Sequence, residues 1–230
     1  MSDSVVRICR ALRYDNGKKE VFEEPVAVET GVTLYLNGIK HISIVVSAES
    51  LEEFGAGYVT AAGLARKVSS VTVRGTDIFV EAEVRNEPVP HPSPGGCQIT
   101  PDDIFSICSA LDTDVWEKTG GLHSAVLYHN HKPAAVFSDI GRHNAADKAV
   151  GFMVLHGIPP EECILGSTGR QPRGMVEKAV NSGISVIVSR AAATVSGISF
   201  AEKQGITLIS FARGGRFTVY SHPERVCFDR

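Results

Sequence analysis

Several features are absent from this sequence, and each absence argues against one class of protein. It contains no apolar run of about eighteen residues, and its first residues lack the basic and apolar segments of a secretion signal, so we expect neither a membrane span nor export. The net charge of −3 is not the basic excess that a nucleic-acid-binding surface needs. We therefore expect a cytoplasmic protein that does not bind nucleic acid.

Paired cysteines are also lacking. The chain has five cysteines, an odd number, with no Cys-x-x-Cys pair and no His/Cys spacing of a zinc site: Cys9, Cys97, Cys108, Cys163 and Cys227. This pattern favours reduced thiols over a disulfide framework. We expect no bound zinc.

The chain has enough apolar residues to bury a substantial core, since 43% of its 230 residues are hydrophobic. We expect a smaller α+β domain over residues 1–112 that ends in a Pro/Gly-rich cysteine loop and a helix. Its predicted elements are a strand at 5–14, a hairpin of 33–36 with 39–46 around Asn37-Gly38, a helix capped by Ser47 and ended by Gly63, a hairpin across 68–84, a loop at 88–97 and a helix from Thr100.

Residues 113–230 alternate strands with glycine-terminated helices, which predicts an α/β domain whose parallel sheet is covered on both faces. The predicted elements are a hairpin of 124–128 with 134–137, helices at 144–156, 175–182 and 195–204, and strands at 163–167, 184–188 and 206–211. Ligands of such sheets bind beyond the carboxyl ends of the strands. Polar clusters follow three of these strands, at 167–170, 189–190 and 211–216.

The last of these clusters is the most informative. Arg213 and Arg216 bracket Gly214 and Gly215, so guanidinium groups flank a backbone that a ligand can approach closely. This pattern is typical of a site for phosphate or another flat anion. The alternative is a Gly-Gly hairpin turn with two solvated arginines. A fourth cluster, at 139–144, is either a second anion site at a helix start or an ordinary helix cap with a solvated arginine.

Three motifs together carry a family resemblance. They are Thr-Gly-Gly-Leu-His at 119–123, Asp-Ile-Gly-Arg-His-Asn-Ala-Ala-Asp-Lys at 139–148, and Phe-Ala-Arg-Gly-Gly-Arg at 211–216 followed by residues 220–225. In order and spacing they resemble the formate dehydrogenase accessory sulfurtransferases of the FdhD/NarQ family. Segments near 25–39 and 51–54 are also similar to that family, so the resemblance spans nearly the whole chain.

The resemblance implies a sulfur carrier. Members accept sulfur as a cysteine persulfide from a cysteine desulfurase and pass it to the molybdenum bis-guanine-dinucleotide cofactor before its insertion into formate dehydrogenase. It further implies a three-layer C-terminal domain similar to cytidine deaminases and a homodimer. The cofactor would contact Phe211, Ala212, Arg213, Gly214, Gly215 and Arg216, which agrees with the anion site indicated by the residues themselves.

The sequence departs from the family at the cysteine loop. The family carries its persulfide on Cys-Gly-x-Cys-Gly, whereas this chain reads Gly95-Gly96-Cys97-Gln98 and lacks the second cysteine. Cys97 is our candidate carrier, because glycines permit close approach and the helix that follows could stabilise a thiolate. An incidental loop thiol is the alternative.

The other cysteines are weaker candidates. Cys9, Cys108 and Cys163 lie in patterns typical of small core residues, and Cys227 lies near the terminus.

Two other functions stay open at this point. A member that has lost sulfur transfer would be a cofactor-binding chaperone of a molybdoenzyme. A zinc deaminase would need a His-x-Glu and a Pro-Cys-x-x-Cys motif, but His143-Asn144-Ala145 and residues 167–170 stand in those places.

The remaining histidines and arginines leave further alternatives. His129 and His131 suit two solvated turn residues better than a metal site. His123 is either a buried hydrogen-bonding residue or a group near the cofactor, and Arg142, His143 and Arg170 are candidates to extend the cavity.

Overall fold

The computed structural model describes residues 5–87 and 97–228, and it begins with a projecting two-stranded hairpin. Strands β1 (Val6–Asp15) and β2 (Lys18–Ala27) pair antiparallel across Asn16 and Gly17, whose φ values of 47° and 88° suit a tight two-residue turn. Most of their side chains are exposed. We call this hairpin the arm. The sequence predicted its first strand but missed β2.

A four-stranded sheet follows, in the order β4-β3-β6-β5. Its strands are β3 (Thr30–Leu36), β4 (Ile39–Val46), β5 (Ala65–Arg74) and β6 (Asp77–Val84). Both predicted hairpins are confirmed, and a parallel pairing of β3 with β6 joins them. Helix α1 (Leu51–Ala61) packs Phe54 into the core of this sheet.

The predicted cap of α1 was wrong. The helix begins after Ser50, which has a left-handed backbone and makes no side-chain cap bond. Ser47 is instead buried, and its backbone N–H donates to Asp139 Oδ2 at 3.0 Å. Ser47 therefore connects two distant parts of the chain.

The second sheet has six strands in the order β12-β11-β10-β9-β7-β8. They are β7 (His123–His129), β8 (Lys132–Asp139), β9 (Cys163–Ser167), β10 (Val186–Ser189), β11 (Thr207–Arg213) and β12 (Arg216–Ser221). Only β9, β10 and β11 run parallel to one another, so the prediction of a parallel sheet was incomplete. Short turns join β7 to β8 and β11 to β12, and such turns permit only antiparallel pairing.

Helices cover both faces of this sheet, giving three layers. Helix α2 (Pro101–Ala110) lies on one face, and α4 (Arg142–Leu155), α5 (Arg173–Ser182) and α6 (Val195–Gln204) lie on the other. We predicted α2 as the last element of the first domain, but its apolar side packs on the second sheet through Ile104 and Ile107. The similarity to cytidine deaminases stays a prediction. A short helix, α3 (Asp114–Thr119), was not predicted.

Helices α1 and α4 join the two sheets by a close crossing. A Cβ atom on Gly57 would overlap the carbonyl of Asp147, and one on Gly151 would overlap the carbonyl of Glu53. The backbones can approach this closely only because both positions lack a side chain. No helix in the described part of the chain is long and apolar enough to cross a membrane.

Candidate functional site

A cleft of about 420 Å³ lies at the carboxyl ends of the parallel strands. Thr168 follows β9, Arg190 follows β10 and Arg213 ends β11, so one residue from each of the three predicted clusters lines it. The rest of its lining consists of Trp116, Gly120, Gly121, Leu122, His123, Ile140 and Ala191. The three predicted clusters therefore meet at one cavity, and ligand binding at this edge stays a prediction. We call this site the cleft.

The hairpin tip at 213–216 has a specific geometry. Arg213 pairs with Arg216 across Gly214 and Gly215, whose φ values of 58° and 75° make a two-residue turn. A Cβ on either glycine would meet no atom within 4 Å, so neighbouring side chains leave the tip open. The local backbone is therefore the Gly-Gly hairpin turn that the sequence analysis gave as an alternative.

The six residues expected to contact a cofactor do not all face the cleft. Arg213 lines it, whereas Arg216 is exposed on the other strand of the hairpin. Ala212 is buried in the core, and its carbonyl accepts a hydrogen bond from Cys108 Sγ at 3.0 Å. Contact between a cofactor and residues 211–216 stays a prediction.

Phe211 holds an unusual backbone conformation beside the cleft. Its φ of 54° is left-handed, which non-glycine residues seldom adopt, and the pairing of β11 with β12 shifts register between Ser210 and Arg213. The Arg213 guanidinium lies 5.9 Å from the centre of the Phe211 ring. Backbone strain of this kind concentrates at functional sites.

Positive charge surrounds His123, which lines the cleft, and His143, which interacts electrostatically with His123. His123 Nδ1 lies 3.3 Å from Thr168 Oγ1, and burial together with the charges of Arg142 and Arg170 lowers the pKa of His123. Burial lowers the pKa of His143 to about 4, with further contributions from Lys178 and Arg142. Both imidazoles are therefore neutral near pH 7, and their surroundings favour an anion.

Two arginines complete this electrostatic picture. The Nε atom of Arg142 is buried and makes no hydrogen bond to the described residues, and the arginine side chain packs against Gly169, where a Cβ would collide with it. Arg190, at the cleft, is paired with Asp112. Arg142, His143 and Arg170, whose roles the sequence left open, thus lie around His123.

Cys97 lies at the opposite edge of the same sheet. Its Sγ is 3.5 Å from the carbonyl oxygen of Gln98 and 3.8 Å from that of Glu162, immediately before β9 begins. Burial raises the pKa of the Cys97 thiol, and the carboxylates of Asp103 and Glu162 raise it further. The expectation that helix α2 would favour the thiolate was therefore wrong in direction. Gly95 and Gly96 lie outside the described residues.

The other thiols differ in accessibility. Cys108 and Cys163 are buried, as predicted, and burial raises their pKa values to about 11 and about 12. Cys9 is exposed, so its prediction as a core residue was wrong, because no other layer covers it on the arm. Cys227 is half-buried, with its Sγ 3.5 Å from Gln98 Oε1.

Histidine–carboxylate pairs flank the region of Cys97. His129 Nε2 lies 2.9 Å from Glu162 Oε2, and His131 Nδ1 lies 3.0 Å from Asp103 Oδ1, which also accepts from Tyr128 Oη at 3.0 Å. We predicted two solvated turn histidines, but both have carboxylate partners. The pairing was not visible in the sequence, because Asp103 and Glu162 come from distant segments.

The cleft and Cys97 are separated by the length of a strand. Glu162 precedes β9 and Thr168 follows it, and about 3.3 Å per residue gives roughly 20 Å between these two positions. The structure therefore brings Arg213, Arg190 and His123 together but does not bring Cys97 to them.

Comparisons with known proteins agree with the resemblance. A family model described as the FdhD/NarQ family matches residues 69–227. A sulfur carrier protein FdhD from Methanothermobacter thermautotrophicus is 32% identical, over 97% of this chain and 99% of the relative. A protein FdhD from Methanocaldococcus jannaschii is 34% identical, over 86% and 89%.

A crystal structure gives the same result. It is described as that of a formate dehydrogenase accessory protein from Desulfotalea psychrophila, and its TM-score to this chain is 0.88. The two are 27% identical, and the alignment covers 97% of this chain and 100% of the other. The resemblance inferred from the sequence motifs is confirmed.

Proposed function

The chain belongs to the FdhD/NarQ family, and from this premise we propose that it is a sulfur carrier serving formate dehydrogenase. Relatives that it matches over nearly their whole length are named sulfur carrier proteins, and a similar structure is described as a formate dehydrogenase accessory protein. The observation that carries the proposal is the arginine-lined cleft at the strand ends, because the family resemblance implies that the carried sulfur is passed to an anionic nucleotide cofactor.

We assign sulfur acceptance to Cys97. Its thiolate attacks the outer sulfur of a persulfide on a cysteine desulfurase, the donor's S–S bond breaks, and the donor cysteine leaves as a thiolate. Cys97 then carries the persulfide. Release of this sulfur as sulfide returns a thiol on Cys97 when two external thiol groups supply the two electrons and leave as their disulfide. We place the exchange in the cytoplasm, where free thiols persist.

We assign binding of the sulfur acceptor, the molybdenum bis-guanine-dinucleotide cofactor, to the cleft. Arg213 and Arg190 offer guanidinium donors to its pyrophosphate, and the surroundings of His123 add positive charge. Because Cys97 lies roughly 20 Å from this edge, sulfur transfer requires either a movement of Cys97 or a second copy that presents its own Cys97.

Two variants and one control variant test these assignments together. The protein is incubated with a cysteine desulfurase and labelled cysteine, and intact-mass spectrometry counts the added sulfur. We expect Cys97→Ala to abolish the label and Cys227→Ser to retain it, while calorimetry shows that Arg213→Ala alone weakens guanosine diphosphate binding. Label that persists in Cys97→Ala, or diphosphate binding indifferent to Arg213→Ala, would contradict the corresponding assignment.

A second function has support from two observations. The pKa of Cys97 is raised and its thiol is remote from the cleft, which suits a cofactor-binding chaperone that has lost sulfur transfer. This function predicts nucleotide binding that depends on Arg213 but no persulfide on any cysteine in the same experiment.

We also propose that the protein is a homodimer formed through the arm. One face of the arm exposes Ile8, Leu12, Tyr14 and Val21, whose side chains are 57–70% exposed. A two-stranded hairpin is only marginally stable alone in water, so an apolar face of this kind needs a covering surface. A second copy supplies that surface.

A further inference from the structure

The cleft contains one large aromatic side chain whose role the motifs do not explain. Trp116 lines the cleft with 42% of its surface exposed, and it is the single tryptophan of the protein. Among the described residues, none stacks on its ring or places a cation over it, although other rings, such as Phe211, have such partners. Its flat apolar face therefore stands open at a charged site.

We propose that Trp116 is the platform on which the nucleotide base stacks in the cleft. This role rests on the proposed function, and it gives the base of the bound cofactor a contact outside residues 211–216. A nucleotide presents both a flat aromatic base and an anionic phosphate chain. The cleft offers a counterpart to each, with the indole for the base and the Arg190 and Arg213 guanidinium groups for the phosphates.

The short helix α3 holds Trp116 in place. The backbone N–H of Trp116 donates to Thr113 Oγ1 at 3.3 Å, and the same oxygen lies 3.3 Å from Ser124 Oγ of β7. At the other end, Thr119 Oγ1 donates to the Val115 carbonyl at 2.8 Å, and Gly120 ends the helix in a left-handed conformation. Because α3 is tied at both ends, the indole needs little reordering when a base binds.

The volume of the cleft limits what stacks there. About 420 Å³ is at the lower end of the range for small-molecule sites, which suits one nucleotide and not two side by side. A cofactor with two guanine nucleotide halves would therefore place one base on each chain's Trp116. This arrangement is consistent with the homodimer proposed above.

The single tryptophan makes the proposal directly testable. Guanosine diphosphate is titrated against the full-length protein while tryptophan fluorescence and binding heat are followed, with inorganic pyrophosphate as the ligand that lacks a base. We expect guanosine diphosphate to quench the tryptophan fluorescence and inorganic pyrophosphate to leave it unchanged. Trp116→Ala should weaken diphosphate affinity about tenfold to a hundredfold and leave pyrophosphate affinity unchanged. Arg213→Ala should weaken both ligands.

Control variants separate stacking from folding. Trp116→Phe, which keeps a ring, should retain most of the affinity, and Trp116→Leu, which keeps apolar bulk without a ring, should lose it. Phe228→Ala, a change in an exposed aromatic at the opposite edge, should have no effect. Diphosphate binding without quenching, or equal affinity in Trp116→Phe and Trp116→Leu, would overturn the platform and leave the proposed function standing. Absence of binding by both ligands would overturn the two together.

Discussion

Lys148 Nζ lies 2.7 Å from Asp139 Oδ2, and both side chains are almost completely buried. The ammonium also donates to the backbone carbonyl of Ser47 at 3.0 Å, and Asp139 accepts from the Ser47 N–H. Asn144 Nδ2 and the Gly141 N–H occupy the other carboxylate oxygen. Asp139, Asn144 and Lys148 of the motif at 139–148 thus form a structural junction between the two sheets, whereas Ile140 of the same motif lines the cleft.

Removing one partner of this ion pair should be costly. We expect Lys148→Met to lower the free energy of unfolding by about 3–5 kcal/mol, because it leaves the carboxylate of Asp139 buried without its counterion. Urea denaturation measures the change, with Lys67→Met on an exposed strand as the control. The double variant Asp139→Asn with Lys148→Met should lose less than the sum of the two single changes. A loss below about 1 kcal/mol in Lys148→Met would contradict this role.

The crossing of α1 and α4 should tolerate no added methyl group. We expect Gly57→Ala to destabilise the protein by about 3 kcal/mol, the upper end for overpacking, because the new Cβ would overlap backbone and not a flexible side chain. Thermal unfolding of Gly31→Ala is the control, since a Cβ at Gly31 meets no atom within 4 Å. Equal melting temperatures for the two variants would show that the crossing adapts.

The thiols should alkylate in an order set by exposure and pKa. We expect iodoacetamide near pH 8 to modify Cys9 early, Cys97 and Cys227 more slowly, and Cys108 and Cys163 only after unfolding. The last two are buried, and their raised pKa values of about 11 and about 12 leave almost no thiolate. Peptide mass spectrometry over time reads the order. Early modification of Cys163 would be inconsistent with its burial.

Nucleotide binding should strengthen as the pH falls from about 8 to about 6. Burial and then Arg142 and Arg170 lower the pKa of unliganded His123, so it is neutral at the start of this range, although Asp139 partly opposes the shift. A bound diphosphate offsets the arginine charges and favours the imidazolium, so binding takes up a proton and affinity rises with acidity.

Calorimetry at several pH values tests this linkage. The terminal phosphate of the ligand titrates in the same range, so the comparison is between the wild type and His123→Asn, in which the added pH dependence should disappear. Identical pH profiles for the two proteins would remove His123 from the binding site.

Dimerisation should depend on the apolar face of the arm. We expect Leu12→Glu to shift the protein from dimer to monomer in sedimentation velocity, because Leu12 is 67% exposed and pairs across the arm with exposed Val21. Val195→Glu, at a position that is 81% exposed on α6, is the control and should leave the dimer intact. A wild-type protein that is monomeric at micromolar concentration would argue against the arm as an interface.

Local signals in the sequence predicted most of the elements. Asn37-Gly38 fixed a hairpin because both residues accept positive φ, and the polar clusters after β9, β10 and β11 indicated the edge that holds the cleft. These features depend on neighbouring residues alone.

Long-range features were harder to predict. Strand β2 was missed because its charged residues, Glu20, Glu23 and Glu24, obscure the alternation of a strand that no core covers. Helix α3 was missed although Thr113 and Gly120 are reasonable start and stop residues, and with it the role of Trp116. Lysine is seldom fully buried, so nothing near Lys148 in the sequence indicated its partner.

The junction at Lys148 also sets the earliest time at which the two sheets can be joined during synthesis. Ser47 and Lys148 are 101 residues apart, and ribosomes add about 5–20 residues per second, so the second partner is made roughly 5–20 seconds after the first. Throughout that interval α4 does not yet exist to cover the side of α1 that contains Gly57. Termination of synthesis before Gly151 would leave a fragment in which α4 never covers this side of α1.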